Sequence, residues 1–323
     1  VARAAGVSKT TASDALRGRG RVSEATRSAV ETAAAELGYT LNRSARSLRT
    51  ATTGAIGLYV PQVIFRSEYY LSFVYGVANE AAKADYDVTL IMSGQLPSRG
   101  QLPHVDGLVL CDPVASDPVV RGLMATDLTV VTCERYNGDR VPNGVVWSDH
   151  AAALERLLDE LAASGAHRPA LLASTTVSDW SLSLAQRYRD WCHRRGIDPV
   201  LREVPFGTDP AGLQDEAARF LVSHPQVDAL VCAADGVAAA AIPAIRSLGR
   251  EVGRDFLLAS CVDGTSMRIA DPAITAIDTK GGEAGGDCAR LLFELLDGRA
   301  DDGTVRELGL DLNLRGSTRL VHN

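Results

Sequence analysis

Apolar positions after residue 54 follow two alternating rhythms. Short runs at 55–60 (Ala-Ile-Gly-Leu-Tyr-Val), 87–92, 105–111, 128–133, 170–174, 200–204, 228–233 and 256–261 are nearly continuous. Stretches at 70–84, 116–125, 150–164, 182–195, 211–223 and 236–248 repeat their apolar residues every three or four positions. The first rhythm is that of buried strands and the second that of amphipathic helices. Their alternation predicts an α/β body of parallel sheets flanked by helices on both faces. It is long enough for two lobes, with Pro142-Asn143-Gly144 as a crossing point between them.

The first fifty residues carry the helical rhythm only. Residues 2–5 form a first helical segment that stops at Gly6. Ser8 opens a helix that reaches Leu16 and is broken by Gly18 and Gly20. Ser23 caps a third helix, with Glu24 in its first turn, apolar positions at Val30, Ala33, Ala34 and Leu37, and a stop at Gly38. Helix, glycine turn, helix and packing helix form the helix-turn-helix pattern; the bland alternative is an alanine-rich helical cap. In the first reading the second helix meets DNA. Lys9 and Thr10 near its start reach base edges, and Ser8, Thr11, Ser13 and Arg17 reach the backbone. Asp14 either accepts from a cytosine amino group or shapes a neighbouring arginine.

Residues 42–49 read Asn-Arg-Ser-Ala-Arg-Ser-Leu-Arg. Asn42 caps a basic segment too short to be a stable helix alone. On DNA it would fold, with Leu48 wedged into the minor groove and Arg46 and Arg49 on phosphates. Otherwise it is a linker, continuous with residues 50–54.

Charge partitions the chain the same way. The net charge is −7, but residues 1–50 hold nine Lys/Arg against four Asp/Glu, while residues 51–323 hold 24 against 36. A head of +5 on a body of −12 allows DNA contact through the head alone. No apolar run is long enough for a membrane helix, and the start lacks the apolar core of a signal peptide. The six cysteines have no metal-like spacing and sit mostly in apolar runs, as free thiols do in a reducing, cytoplasmic compartment. The six histidines show no metal spacing, no Gly-x-Ser-x-Gly elbow occurs, and no phosphate-binding glycine signature follows the first strand. The expectation is therefore no enzyme, no cofactor and no metal.

Particular motifs carry a resemblance over essentially the whole chain. They are Val1-Ala2-Arg3-Ala4-Ala5-Gly6-Val7-Ser8, Arg21-Val22-Ser23-Glu24-Ala25-Thr26-Arg27, Val105-Asp106-Gly107-Leu108, Asp271-Pro272-Ala273-Ile274-Thr275 and Leu314-Arg315-Gly316-Ser317-Thr318. In this order they resemble the LacI/GalR family of bacterial transcription regulators. The resemblance implies a head and hinge helix over 1–49, a linker over 50–54 and a periplasmic-binding-protein-like body over 55–323. It implies three crossings between lobes, one lobe near 55–145 and 277–305 and the other near 146–276 and 306–323. It further implies a homodimer or tetramer, a pseudo-palindromic duplex DNA operator, and a carbohydrate-like effector held between the lobes. The family's first helix begins just ahead of Val1.

For the cleft, the resemblance points to Phe65, Tyr69, Tyr70, Glu134, Arg187, Asp235 and Asp263, and Trp180 lies where it can stack on a ligand. Trp191 and Tyr188 read as core, and an aspartate at a strand end, such as Asp235, caps the next helix more often than it binds ligand. Ala234 and Val262 stand where relatives carry polar residues, which makes the cleft less polar than that of a typical simple-sugar binder. The competing reading is a freestanding sugar-binding protein without regulatory DNA binding; the head and hinge speak against it.

Overall fold

The computed structural model describes residues 1–16, 20, 22–38, 52–62, 67–94, 104–175, 177–205 and 207–319. They form two compact units, Val1–Thr53 and Gly54–Asn323.

In the first unit, α1 (Lys9–Leu16) and α2 (Glu24–Glu36) pack Ala12, Ala15 and Val30 into a small core, with Val1, Ala2, Ala5, Val7, Leu16 and Val22 around it. Ser23 caps α2 by accepting from the Thr26 amide. Residues 2–5 make a hydrogen-bonded turn, closed by Ala5 N to Val1 O and Val7 N to Ala2 O, rather than a regular helix. Leu37, expected on the buried stripe, is exposed, because α2 ends at Glu36 and the chain turns at Gly38.

The second unit contains two six-stranded sheets. The first has the order β11-β5-β4-β3-β1-β2, with β1 Ala55–Val60, β2 Asp87–Met92, β3 Gly107–Cys111, β4 Thr129–Cys133, β5 Gly144–Trp147 and β11 Thr304–Glu307. All its neighbours are parallel. The second has the order β12-β10-β9-β8-β6-β7, with β6 Pro169–Ser174, β7 Val200–Val204, β8 Ala229–Cys232, β9 Leu257–Ser260, β10 Thr275–Asp278 and β12 Asp311–Asn313. Only β12 runs antiparallel to its neighbour. Helices α3 (Glu68–Lys83), α4 (Pro118–Met124) and α10 (Gly281–Leu296) cover the first sheet. Helices α5 (His150–Ala163), α6 (Asp179–Arg194), α7 (Pro210–Ser223), α8 (Val237–Ser247) and α9 (Thr265–Ile269) cover the second. The central strands of each sheet are therefore buried on both faces, which is why β3, β6, β8 and β9 read as continuous apolar runs.

The chain passes between lobes after β5, after β10 and after β11. Helix α10 thus rejoins the first lobe and packs on α3. There Gly76 is required: a Cβ would collide with the Gly282 carbonyl oxygen, and one at Gly285 would collide with Phe73 O.

Candidate functional site

In the head, the Ser8 hydroxyl accepts from the Thr11 amide at 3.0 Å and lies 2.8 Å from Thr11 Oγ1. Ser8 is thus the cap of α1 as well as an exposed polar group. Lys9 and Thr10 are exposed at the start of α1, and Thr11 and Ser13 are half-buried beside them. The Asp14 side chain packs beneath Gly20: a Cβ added there would stand 3.4 Å from Asp14 Oδ2. Arg17, Asn42, Arg46, Leu48 and Arg49 lie outside the described residues, as does Phe65 in the body.

A cleft of about 900 Å³, including its solvent-open part, lies between the two lobes of the body. Its first-lobe wall includes Ser67, Tyr69, Tyr70, Asp112 and Glu134; its second-lobe wall includes Trp180, Leu213, Asp235, Val237 and Val262. Ligand sites in open α/β sheets sit beyond the carboxyl ends of the strands, and this one does so in both lobes. Asp112 follows β3 and Glu134 follows β4, each with a left-handed backbone (φ +46° and +69°). Residues other than glycine adopt that conformation rarely. Here it places two carboxyl residues side by side on the cleft wall.

These groups are buried and coupled. Glu134 Oε1 lies 3.0 Å from His150 Nε2, and the Ser148 amide donates to Oε2 at 3.4 Å. Burial pushes the Glu134 carboxyl up, against the pull of His150. Burial also opposes charging of His150, but the Glu134 charge and hydrogen bond outweigh it and hold the imidazole above its ordinary range. The pair therefore retains a proton. Asp112 is pushed up to about 7, first by burial and then by the neighbouring Glu134 charge. Tyr70 donates to its Oδ2 at 3.4 Å, and the Ser178 side chain hydrogen-bonds the same carboxyl and opposes the rise. Tyr69 meets Tyr70 edge to face at 5.3 Å, and its hydroxyl lies 3.5 Å from Cys133 Sγ.

The cleft thus brings together Tyr69, Tyr70, Glu134, Trp180 and Asp235. Two expected members do not join them. Arg187 points its guanidinium to Glu155, at 2.5 Å, and does not line the cleft. Asp263 is clasped by Arg315 through Nη1 at 2.9 Å and Nη2 at 2.6 Å, with Asn313 donating at 3.1 Å. Lys280 likewise pairs with Asp311 at 2.8 Å. Trp191 and Tyr188 are core: the indole donates to Asp159, and the phenol bridges Pro169 O and the Val200 amide. Sequence reasoning missed Asp112 and His150. The signal for Asp112 was its place directly after an apolar run, the same one that marked Glu134; nothing in the sequence distinguished His150 from a helix-start surface histidine.

Asp235 lines the cleft, and its Oδ2 accepts from the Glu68 amide at 2.9 Å, at the start of a helix of the opposite lobe and not of the helix that follows it. Among the described residues no His/Cys/Asp/Glu group is arranged to hold a metal, and no helix is long and apolar enough to cross a membrane.

Comparison with known proteins agrees with this geometry. Residues 1–42 match the model of the bacterial regulatory proteins of the lacI family, and residues 158–318 match a periplasmic binding protein-like domain. The regulator CelR of Thermobifida fusca is 28% identical over 334 residues, covering 98% of this chain and 96% of its own. A solved CelR–cellobiose complex superposes with a TM-score of 0.74 at 25% identity, covering 98% of each chain. The lac repressor dimer bound to operator and an anti-inducer shares the fold, with a TM-score of 0.83 at 23% identity over 98% of this chain and 97% of that one. The helix-turn-helix head, the two-lobed body and these full-length relatives together place this chain in the LacI/GalR family of bacterial transcription regulators.

Proposed function

We propose that this protein is a dimeric repressor whose grip on an operator is set by a carbohydrate-like molecule held between the two lobes. The observation that carries the reading is the cleft itself: aromatic rings of Tyr69 and Trp180 and carboxyls of Asp112 and Glu134 meet in one cavity of a chain that also bears a reading head. Aromatic faces stack on the apolar faces of sugar rings, and fixed carboxyls take their hydroxyl donors. A relative solved with cellobiose makes that disaccharide the first probe to try.

On the DNA side, Lys9 and Thr10 are the base-reading pair and Thr11, Ser13 and Arg17 the backbone contacts. Arg46 and Arg49 grip phosphates around a Leu48 wedge, with Asn42 at the start of that segment. Leu71 and Tyr75, one turn apart on α3, and Leu90 on edge strand β2 are exposed apolar side chains that a second copy would cover. A ligand that favours one lobe arrangement changes operator affinity through linkage.

The test is fluorescence anisotropy on fragments of the source genome, with and without cellobiose and related sugars. Specific binding that falls steeply with salt, moves with a sugar and weakens in Leu48→Ala supports the reading. Sugar binding with no preference for any duplex would overturn it.

A further inference from the structure

The two walls of the cleft differ in chemistry. The first-lobe wall carries the phenols of Tyr69 and Tyr70 and the carboxyls of Asp112 and Glu134. The second-lobe wall ends in hydrocarbon. Leu172 on β6, Val204 at the end of β7, Leu213 on α7 and Val237 at the start of α8 line it together. All four belong to the core between the second sheet and helices α7 and α8. Trp180 and Val262, which also line the cleft, belong to the core on the other face of that sheet. The cleft therefore reaches over the carboxyl edge of the second sheet to an aliphatic corner beneath α7 and α8. Two polar side chains line the cleft next to this corner in sequence, and both are engaged. The Thr208 hydroxyl donates to Pro205 O at 2.7 Å, and Asp235 holds the Glu68 amide. The carbonyls of Leu172 and Val204 accept from the Ala233 and Thr175 amides at 2.9 and 3.1 Å. A ligand hydroxyl pushed into the corner would give up its water for groups already engaged, whereas a methylene would gain from leaving water.

We propose that this corner is a subsite for a hydrocarbon arm, so that the cleft takes an amphipathic ligand: a hydroxylated ring toward the first lobe and an alkyl chain over the edge of the second sheet. This rests on the reading of the cleft as a carbohydrate-like effector site and adds what such a ligand carries. The side chains that meet the arm are aliphatic, so they select it by size and not by hydrogen bonding. Each methylene buried there raises affinity about fourfold. Leu213 and Val237 border the corner from its two covering helices and set the length of chain it accepts.

The experiment is calorimetric titration of the full chain with cellobiose and with methyl, butyl and hexyl glycosides of glucose, galactose and cellobiose, all below their micellar concentrations. Three methylenes at about fourfold each predict a rise of roughly sixtyfold from methyl to butyl in the ring series that binds. A rise of at least about tenfold supports the proposal, and anything less overturns it. Val237→Phe fills the corner and should bring the butyl-to-methyl ratio to within about threefold. Leu213→Ala enlarges the corner and should move the preference from butyl to hexyl, which decides the matter should Val237→Phe not fold. A chain-length dependence unchanged in variants with the parental circular dichroism spectrum overturns the assignment of this corner. Sugar binding without any gain from the chain overturns this proposal alone and leaves the carbohydrate reading intact. A series with no binder at all overturns that reading, and this proposal with it.

Discussion

Asp235 and Glu68 cap each other's lobes across the mouth of the cleft. Asp235, after β8 of the second lobe, accepts from the Glu68 amide at the start of α3 in the first. The Glu68 carboxylate in turn accepts from the Thr265 amide at 2.9 Å and its hydroxyl at 3.2 Å, at the start of α9 in the second lobe. Each carboxylate thus satisfies helix-start amides that its own lobe does not. A helix cap contributes about 1 kcal/mol, roughly a fivefold shift in a two-state equilibrium. Asp235→Ala and Glu68→Ala should each open the lobes by about that factor. Small-angle scattering would register it as a larger radius of gyration, and the double variant should deviate from additivity because the two caps share Glu68. An unchanged scattering curve for both single variants removes the clamp.

Asp112 makes stability depend on pH in an unusual direction. Its folded carboxyl is raised to about 7 from an ordinary 3.8, so the folded chain holds a proton that the unfolded chain releases. That contribution is fully present below about pH 4 and is lost as pH climbs through 7. Asp112→Asn should flatten this decline and raise Tm by roughly a few degrees at pH 8. Parallel Tm profiles for variant and parent between pH 5 and 8 would contradict it.

The Asp263–Arg315 clasp acts with the opposite sign. Burial raises the Asp263 carboxyl, but the hydrogen bonds and charge of Arg315 outweigh it and hold it below the ordinary 3.8. Its contribution is present above that value and disappears as pH falls through the lowered one. Removing one partner of a buried pair costs about 3 kcal/mol, so Asp263→Ala should lower the urea midpoint clearly at pH 7. The variant should also lose less further stability than the parent on acidification below about pH 4. Because Asp263 joins β12 and the tail to the second sheet, this loss should come without direct loss of cleft chemistry.

The α3–α10 contact tests close helix approach. Gly76→Ala puts a methyl group into the Gly282 carbonyl, with no flexible side chain able to give way. Overpacking of this kind costs about 1–3 kcal/mol. Equilibrium unfolding should show that loss for Gly76→Ala, and little change for Gly122→Ala, where nothing lies within 4 Å.

The strand and helix pattern was legible wherever an element was long or uniformly apolar. Strands 55–60, 87–92 and 200–204 have the expected bounds. Helix α6 starts at Asp179 instead of 182 because its first turn is polar and capped by Ser178, which a search for apolar spacing overlooks. Strand β5 and helix α10 were harder for different reasons. The first is four residues beside a Pro-Asn-Gly turn, and the second opens on glycines that a single-helix view counts as breakers. The cleft was half legible. Strand-end position marked Glu134 and Asp235, but the partner of a side chain is a tertiary fact. Nothing local says that Arg187 meets Glu155, that Asp263 meets Arg315, or that a histidine opening α5 reaches back to Glu134.

The return of α10 to the first lobe orders how this chain can be made. The second sheet draws β6 to β10 from one uninterrupted stretch, residues 169–278, and lacks only its edge strand β12 when residue 278 has been synthesised. The first lobe at that moment still exposes the face that Ala284, Cys288, Leu291 and Leu292 will cover. Although it is translated first, it must wait as an incomplete, sticky intermediate until the distal helix leaves the ribosome. Chaperone capture of nascent chains should therefore concentrate on the amino-terminal half, and should end once α10 has left the ribosome and docked on the first lobe.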